Sequence, residues 1–288
     1  MKANAILIRY AEVFLKRGRK PYFLARMKES IERQVRKAGP FRVRELYGFF
    51  IVYREGTPKG APLPELGEEA ALAVAMDHVF GVANWAPCRI VERTYEAIAE
   101  EVGRIADEDM RGTASFRIEA QRTVKDFPIN SMELNRRLGG VVLERIGPVT
   151  VKMKDPATTL WVRILPKEAA LYTEDRKGPG GLPVGGSGHL MLLLSGGIDS
   201  PVAGWMAMRR GCTLDAVHFD AAPYTTPQAR KKVEDLAGML AAYEASLRLH
   251  VVPFGAVQAD LRDAAPGRLL VVLYRRMMVR IACRLAAA

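Results

Sequence analysis

Six consecutive residues in the last third of the chain, Ser195-Gly196-Gly197-Ile198-Asp199-Ser200, carry the parts of an anion site. Adjacent glycines let a backbone turn sharply and aim its N–H groups inward, and a helix that starts straight afterwards adds its positive end. The hydroxyls of Ser195 and Ser200 are donors for phosphate oxygens. Asp199 either caps the helix that follows or helps to hold a metal ion bound to the phosphates. Pro201 suits a first helical turn, where no backbone N–H is needed. No Gly-Lys-Ser/Thr follows, so this is not a Walker loop, and the spacing is not that of a dinucleotide-binding Gly-x-Gly-x-x-Gly.

The elements around the loop set its position. Met191-Leu192-Leu193-Leu194 is a continuous apolar run, which predicts a strand over 190–194 buried on both faces. Beyond it the chain alternates: helix 200–210, strand 213–219, helix 226–245, strand 248–253 and helix 267–286. That is a doubly wound parallel α/β pattern. The Gly/Pro run over 178–186 reads as a linker or as a backbone surface close to a ligand.

Upstream the pattern is α+β. A strand over 5–10 precedes a helix over 21–38 with Phe23, Leu24, Met27, Ile31 and Val35 on one face. Residues 41–53 alternate as a hairpin around Tyr47-Gly48, and a linker follows over 56–64. A second unit starts with a helix near 66–79 and a strand over 83–91. An acidic amphipathic helix at 94–110 comes next, then a strand over 115–122 with Phe116, Ile118 and Ala120 on one face. A helix at 130–146 and strands near 149–152, 158–165 and 169–173 complete it.

With 288 residues, 49% hydrophobic and 26% charged, the chain can bury cores for two or three domains. Its net charge of +11 is uneven. Residues 1–59 hold 15 Lys/Arg against 5 Asp/Glu, residues 60–110 hold 3 against 11, and residues 111–167 hold 11 against 5. Two basic stretches separated by an acidic one suit a polyanion, although a soluble basic protein with no nucleic-acid partner has the same composition. Cys88, Cys212 and Cys283 form no CxxC pair and no metal-spaced cluster, so no metal site is expected and the three read as reduced, mostly buried thiols. The start of the chain does not read as a signal peptide, and no stretch approaches the ~20 apolar residues that span a bilayer. A soluble, cytoplasmic protein is expected.

The loop SGGIDS resembles that of the PP-loop ATP pyrophosphatases, which split ATP between its α and β phosphates. The residues PVAGWMAMRRG at 201–211, Val217-His218-Phe219, Gly180 to Gly185 and Arg275-Arg276-Met277-Met278 are similar to those of ThiI-type tRNA 4-thiouridine synthetases. Arg9-Tyr10-Ala11-Glu12-Val13-Phe14-Leu15-Lys16 resembles that family's opening signature, with Ala11 and Arg17 where glycine is usual. Phe116-Arg117-Ile118 and Gln121 through Pro128 resemble the THUMP pattern.

The resemblance implies an N-terminal ferredoxin-like domain at 1–60, a THUMP RNA-binding domain at 66–167 and a PP-loop domain at 178–288. The first two would grip tRNA, with Arg117, Arg122, Lys125, Arg136 and Arg137 as candidate contacts against the plain reading of solvated surface charges. Ser195, Gly196, Gly197, Asp199 and Ser200 would hold the pyrophosphate of ATP, with Mg2+ as its companion and Asp199 and Ser200 as the catalytic pair. Leu193, Leu194, His218 and Phe219 would line the adenosine side, at the strand ends where such sheets bind ligands. Packed-core roles for His218 and Phe219 stay open. Arg275 matches an ATP-contacting arginine, with Arg276 its near competitor.

The activity so implied is adenylation of uridine 8 in tRNA and displacement of AMP by a persulfide sulfur to give 4-thiouridine. A cysteine desulfurase is the implied sulfur donor, a thiamine sulfur-carrier protein a further partner, and a homodimer the implied assembly. In that family the last domain continues past the Arg-Arg-Met-Met helix to a catalytic cysteine, and none of the three cysteines here matches it. The expectation is a fragment or shortened form unable to complete sulfur transfer alone. Two other readings are an RNA-binding protein without catalysis and a PP-loop enzyme that adenylates a small molecule.

Overall fold

The computed structural model describes residues 2–10, 12–15, 18–46, 48–58, 61–244 and 246–287. Ala11, Lys16 and Arg17 of the opening signature, Tyr47 of the hairpin, and Lys59 and Gly60 of the expected linker lie outside the described residues. Two compact units result: Met1–Ala11, Ile31–Asp77 and Val82–Gly178 in one, and Glu12–Ser30, His78–Gly81 and Pro179–Ala288 in the other.

The amino-terminal elements run β1 (Ala5–Tyr10), α1 (Lys20–Ala38), β2 (Phe41–Leu46), β3 (Phe49–Arg54), α2 (Glu69–Asp77) and β4 (Val82–Glu92). The strand order β2-β3-β1-β4, with antiparallel pairing, makes a ferredoxin-like sheet. Phe23, Leu24, Met27, Ile31 and Val35 of α1 are all buried, as their helical spacing predicts.

The same sheet continues. After β4 come α3 (Tyr95–Ile105), which runs into a π-helical turn at Ala106–Met110, then β5 (Ser115–Arg122), α4 (Ser131–Ile146), β6 (Thr150–Val151), β7 (Thr158–Ile164), β8 (Glu168–Tyr172) and β9 (Arg176–Lys177). The order proceeds β4-β8-β7-β5-β6, with β9 also on β4. Ile98, Val102 and Ile105 of α3 and Leu134, Leu138 and Val142 of α4 share one buried cluster with Phe116, Ile118, Leu160, Val162 and Ile164 of the sheet. Both helices start on side-chain caps: Ala97 N–H donates to Thr94 Oγ1 at 3.2 Å and Glu133 N–H to Asn130 Oδ1 at 2.9 Å.

β4 is shared by both parts. Residues 82–88 pair with β1 and residues 89–92 with β8. Just before β1 begins, the buried Asn4 side chain carries the pairing on: its Nδ2 donates to Ile90 O at 3.1 Å, and its Oδ1 accepts from Ile90 N–H at 2.8 Å. On the opposite edge of β4 the partner changes from β9, at Asn84 and Trp85, to β8, from Arg89. Pro87 stands in that gap, where a missing N–H costs no ladder bond.

The second unit holds β10 (His189–Leu193), α5 (Asp199–Arg209), β11 (Thr213–Asp220), α6 (Pro227–Ala241), β12 (Leu249–Pro253), α7 (Gly255–Ala264) and α8 (Leu270–Ala287). The three strands form a parallel sheet in the order β10-β11-β12. α5 packs on β10, β11 and α6, and α8 packs on β10 and α7. Two expectations are corrected. β10 is not buried on both faces, since Leu190 and Leu193 are 44% and 42% exposed; among the described residues it pairs only with β11, so one edge of it is open. The chain before α8 forms α7, which the sequence reading left out.

The Gly/Pro run is neither slack nor free. Leu182 N–H donates to Arg209 O at 2.9 Å, Ser187 N–H donates to Gly211 O at 2.9 Å, and Leu182 and Val184 are buried. Gly181 has φ +77°, and a Cβ there would stand 2.2 Å from the Arg209 carbonyl oxygen. Close backbone approach explains this glycine.

Candidate functional site

The loop after β10 is built from its own hydrogen bonds. Ser195 N–H donates to Ser200 Oγ at 3.0 Å, the two serine hydroxyl oxygens are 3.1 Å apart, and Gly197 N–H points to Ser195 Oγ at 3.4 Å. α5 begins immediately. Ile198 occupies its cap position with helical angles, φ −76° and ψ −30°, and no side chain caps the helix. Asp199 is therefore not the cap; it is the first helical residue, and exposed. The first-turn N–H groups of α5 thus have no side-chain cap, beside two hydroxyls and a short glycine turn, which is a donor array for an anion.

Tight packing fixes the helix behind the loop. A Cβ on Gly204 would come within 2.7 Å of Leu192 Cδ2, so α5 lies close on β10. Leu194 is buried at the strand end, and its N–H donates to Val217 O at 2.9 Å. Its carbonyl accepts from His218 Nδ1 at 3.1 Å. A carbonyl only accepts, so Nδ1 bears a proton in this contact.

His218 and Phe219 are half-buried at the end of β11. Phe219 meets Phe254 edge to face at 5.3 Å, which is the packing role the sequence left open for it. Leu193 is exposed beside the loop. Arg275 and Arg276 are both exposed on α8. One residue near the loop escaped the sequence reading. Lys232 of α6 passes over it, with Cδ 3.7 Å from where a Cβ on Gly196 would stand. In the sequence it is one of three successive cations on a surface helix, and nothing local marks it.

The five candidate RNA contacts lie in the first unit and differ in what already holds them. Arg117 donates to Met153 O at 3.0 Å and to Glu119 at 2.7 Å. Arg122 is half-buried and ties down the β5–α4 connection by donating to Phe127 O at 3.1 Å. Lys125 is exposed. Arg136 and Arg137 share one carboxylate, Glu133, at 2.7 and 2.6 Å. Their hydrogen bonds pull the Glu133 carboxyl down to about 2. Two guanidiniums against one carboxylate leave a surplus positive charge on an exposed helix face. By contrast, a cavity of about 570 Å³ in the same unit is bordered by Glu69, Asp109 and Glu174 against the single cation Arg176. That charge balance does not suit a polyanion.

The expectation of mostly buried thiols is corrected, since only one of the three is buried. Cys88 is fully enclosed in β4, and burial pushes its pKa far up; Cys212 is half-buried, but Cys283 is exposed on α8. Among the described residues, no three or more His, Cys, Asp or Glu side chains group as a metal site, and no helix is long and apolar enough to cross a membrane.

Three family descriptions match in chain order: the ThiI ferredoxin-like domain over residues 5–86, the THUMP domain over 92–174, and the thiamine biosynthesis protein (ThiI) over 185–288. A protein of Brevibacillus brevis named as a probable tRNA sulfurtransferase is 38% identical over 99% of this chain and 69% of its own length. One of the same name from Pediococcus pentosaceus is 36% identical over 99% and 68%. Among solved structures, a 4-thiouridine synthetase–RNA complex with bound ATP matches with a TM-score of 0.85 and 28% identity, covering 99% of this chain and 71% of that one. A Pyrococcus horikoshii protein matches with a TM-score of 0.72 and 25% identity over 90% and 82%. With this order of domains and this degree of identity along nearly its whole length, the chain belongs to the ThiI family of tRNA sulfurtransferases.

Proposed function

We propose that the chain is an ATP-dependent tRNA sulfurtransferase that activates uridine 8 of tRNA for conversion to 4-thiouridine. The observation that carries this is the loop 195–200, with its paired serine hydroxyls beside a helix start that no side chain caps. In this reading the N–H groups of the loop and the Ser195 and Ser200 hydroxyls receive the diphosphate end of ATP. Leu193, Leu194, His218 and Phe219 line the adenosine side, and Arg275 reaches the nucleotide from α8. Asp199 is the exposed carboxylate of the loop and would hold Mg2+, which supplies charge neutralisation on the phosphates.

The uridine O4 attacks the α phosphorus, the α–β P–O bond breaks, and pyrophosphate leaves. The outer sulfur of a cysteine persulfide then bonds to C4 as AMP departs, and a second thiol attacks the inner sulfur, so that the S–S bond breaks, a disulfide forms and 4-thiouridine is left. Arg117, Lys125, Arg136 and Arg137 hold the tRNA backbone, where cations fix register rather than sequence, while Arg122 secures the turn before α4 through the Phe127 carbonyl. A cysteine desulfurase as sulfur source, a sulfur-carrier protein of thiamine synthesis as a second recipient, and a homodimer belong to the same proposal and rest on family membership alone. The structure in the neighbouring family member holds both RNA and ATP, and that supports the pairing of substrates.

The test is release of AMP and pyrophosphate from ATP in the presence of unmodified tRNA, with the intact chain and with Asp199→Ala. Release that needs both tRNA and ATP, and that falls about a hundredfold or more in the variant, is expected. Equal rates remove Asp199 from the mechanism. Tight, salt-sensitive tRNA binding without any release would leave an RNA-binding protein only.

A further inference from the structure

We propose that Lys232, on α6, is the phosphate-binding cation of the loop 195–200, contacting the β- and γ-phosphates of ATP; the inference rests on the nucleotide reading of that loop. The loop has donors but no cation of its own, since no lysine follows its glycines. A leaving diphosphate builds up negative charge that neutral N–H and O–H groups only partly offset, and a lysine ammonium is the usual point charge for such a group.

α6 supplies three successive cations, and their partners differ. Arg230 pairs with Glu234 at 3.0 Å and Lys231 with Asp235 at 2.7 Å, each one helical turn on. The residue in the same relation to Lys232 is Leu236, and Lys232 has no ion pair among the described residues. Its stem instead runs over Gly196, with Cδ 3.7 Å from that residue's Cβ position. From there the ammonium has one more methylene of reach towards the open donors of the loop. Gly196 leaves the space for it: a larger residue would occupy the gap between loop and lysine.

Titration calorimetry with ATP and with AMP distinguishes the possibilities, using the intact chain, Lys232→Gln, Lys232→Arg and Lys231→Gln. Lys232→Gln is expected to weaken ATP about tenfold, or 1.4 kcal/mol, and leave AMP unchanged, because AMP lacks the two terminal phosphates. Lys232→Arg keeps most of the ATP affinity. Lys231→Gln, which removes the same charge from the same helix, changes neither ligand. Unchanged ATP affinity in Lys232→Gln, equal loss for AMP, or equal loss in Lys231→Gln overturns the assignment while the nucleotide reading stands. If the intact chain binds no ATP, the nucleotide reading falls and takes this inference with it.

Discussion

The hydroxyl oxygens of Ser195 and Ser200 face each other at 3.1 Å, and the Ser200 hydroxyl also receives the Ser195 N–H at 3.0 Å. The loop is thus pinned across its own mouth by a side chain of the first turn of α5. Ser200→Ala removes these contacts together. Each is worth about 0.5–1.5 kcal/mol at most, and the site is exposed, so the loss of stability in a denaturant titration is expected to be about 1 kcal/mol. ATP-dependent pyrophosphate release should fall more, by about tenfold or beyond, as the donor array loses its shape.

Arg136 and Arg137 stand on the same face of α4 and share Glu133. If both touch phosphate, each alanine substitution weakens tRNA binding about equally for all tRNA sequences. It also lowers the slope of log affinity against log salt by about 0.7–0.9 per contact removed. Filter binding across a salt series reads both. Arg122, held by the Phe127 carbonyl, is expected to cost stability when replaced, with the salt slope unchanged.

Glu133 also predicts an acid response. Its carboxyl is lowered from an ordinary 4.5 to about 2 by hydrogen bonds from Arg136 and Arg137. Between those values the unfolded chain binds the proton more readily than the folded one, so stability falls as the pH falls. Its contribution is complete above about pH 4.5 and lost by about pH 2. Melting curves of the intact chain and Glu133→Gln should differ at neutral pH and converge on acidification.

Gly181→Ala tests the packed Gly/Pro run. The left-handed backbone alone costs roughly 1–2 kcal/mol for a residue with a Cβ. The Arg209 carbonyl oxygen, 2.2 Å from that Cβ, adds an overlap that no side chain can relieve. A loss of about 2 kcal/mol or more is expected by denaturant titration, as for other substitutions that strain a special backbone position in a packed site.

Much of this was legible in the sequence because it was periodic or chemically specific. α1 announces its buried face through Phe23, Leu24, Met27, Ile31 and Val35, and the anion loop announces itself through two glycines and two serines placed between strand and helix. What was missed lacks such a signal. α7 buries only Gly255, so no apolar stripe marks it as a helix. The apolar run of β10 reads as two-sided burial, because hydrophobicity records what a strand tolerates and not which edges find a neighbour. Lys232 is near the loop only because α6 folds back over it, a tertiary fact that neighbouring residues do not encode. Arg122 looked like the other surface cations, and its two carbonyl acceptors come from the turn it secures.

The strand β4 splices two sheets into one, with Asn4 mending the seam at Ile90. Neither half could be cut out cleanly: scission near Val91 would strip a ladder from each product and leave both with a raw, adhesive border. The strands of the ferredoxin-like and THUMP portions share one sheet, and heating or force is expected to release them in one cooperative step.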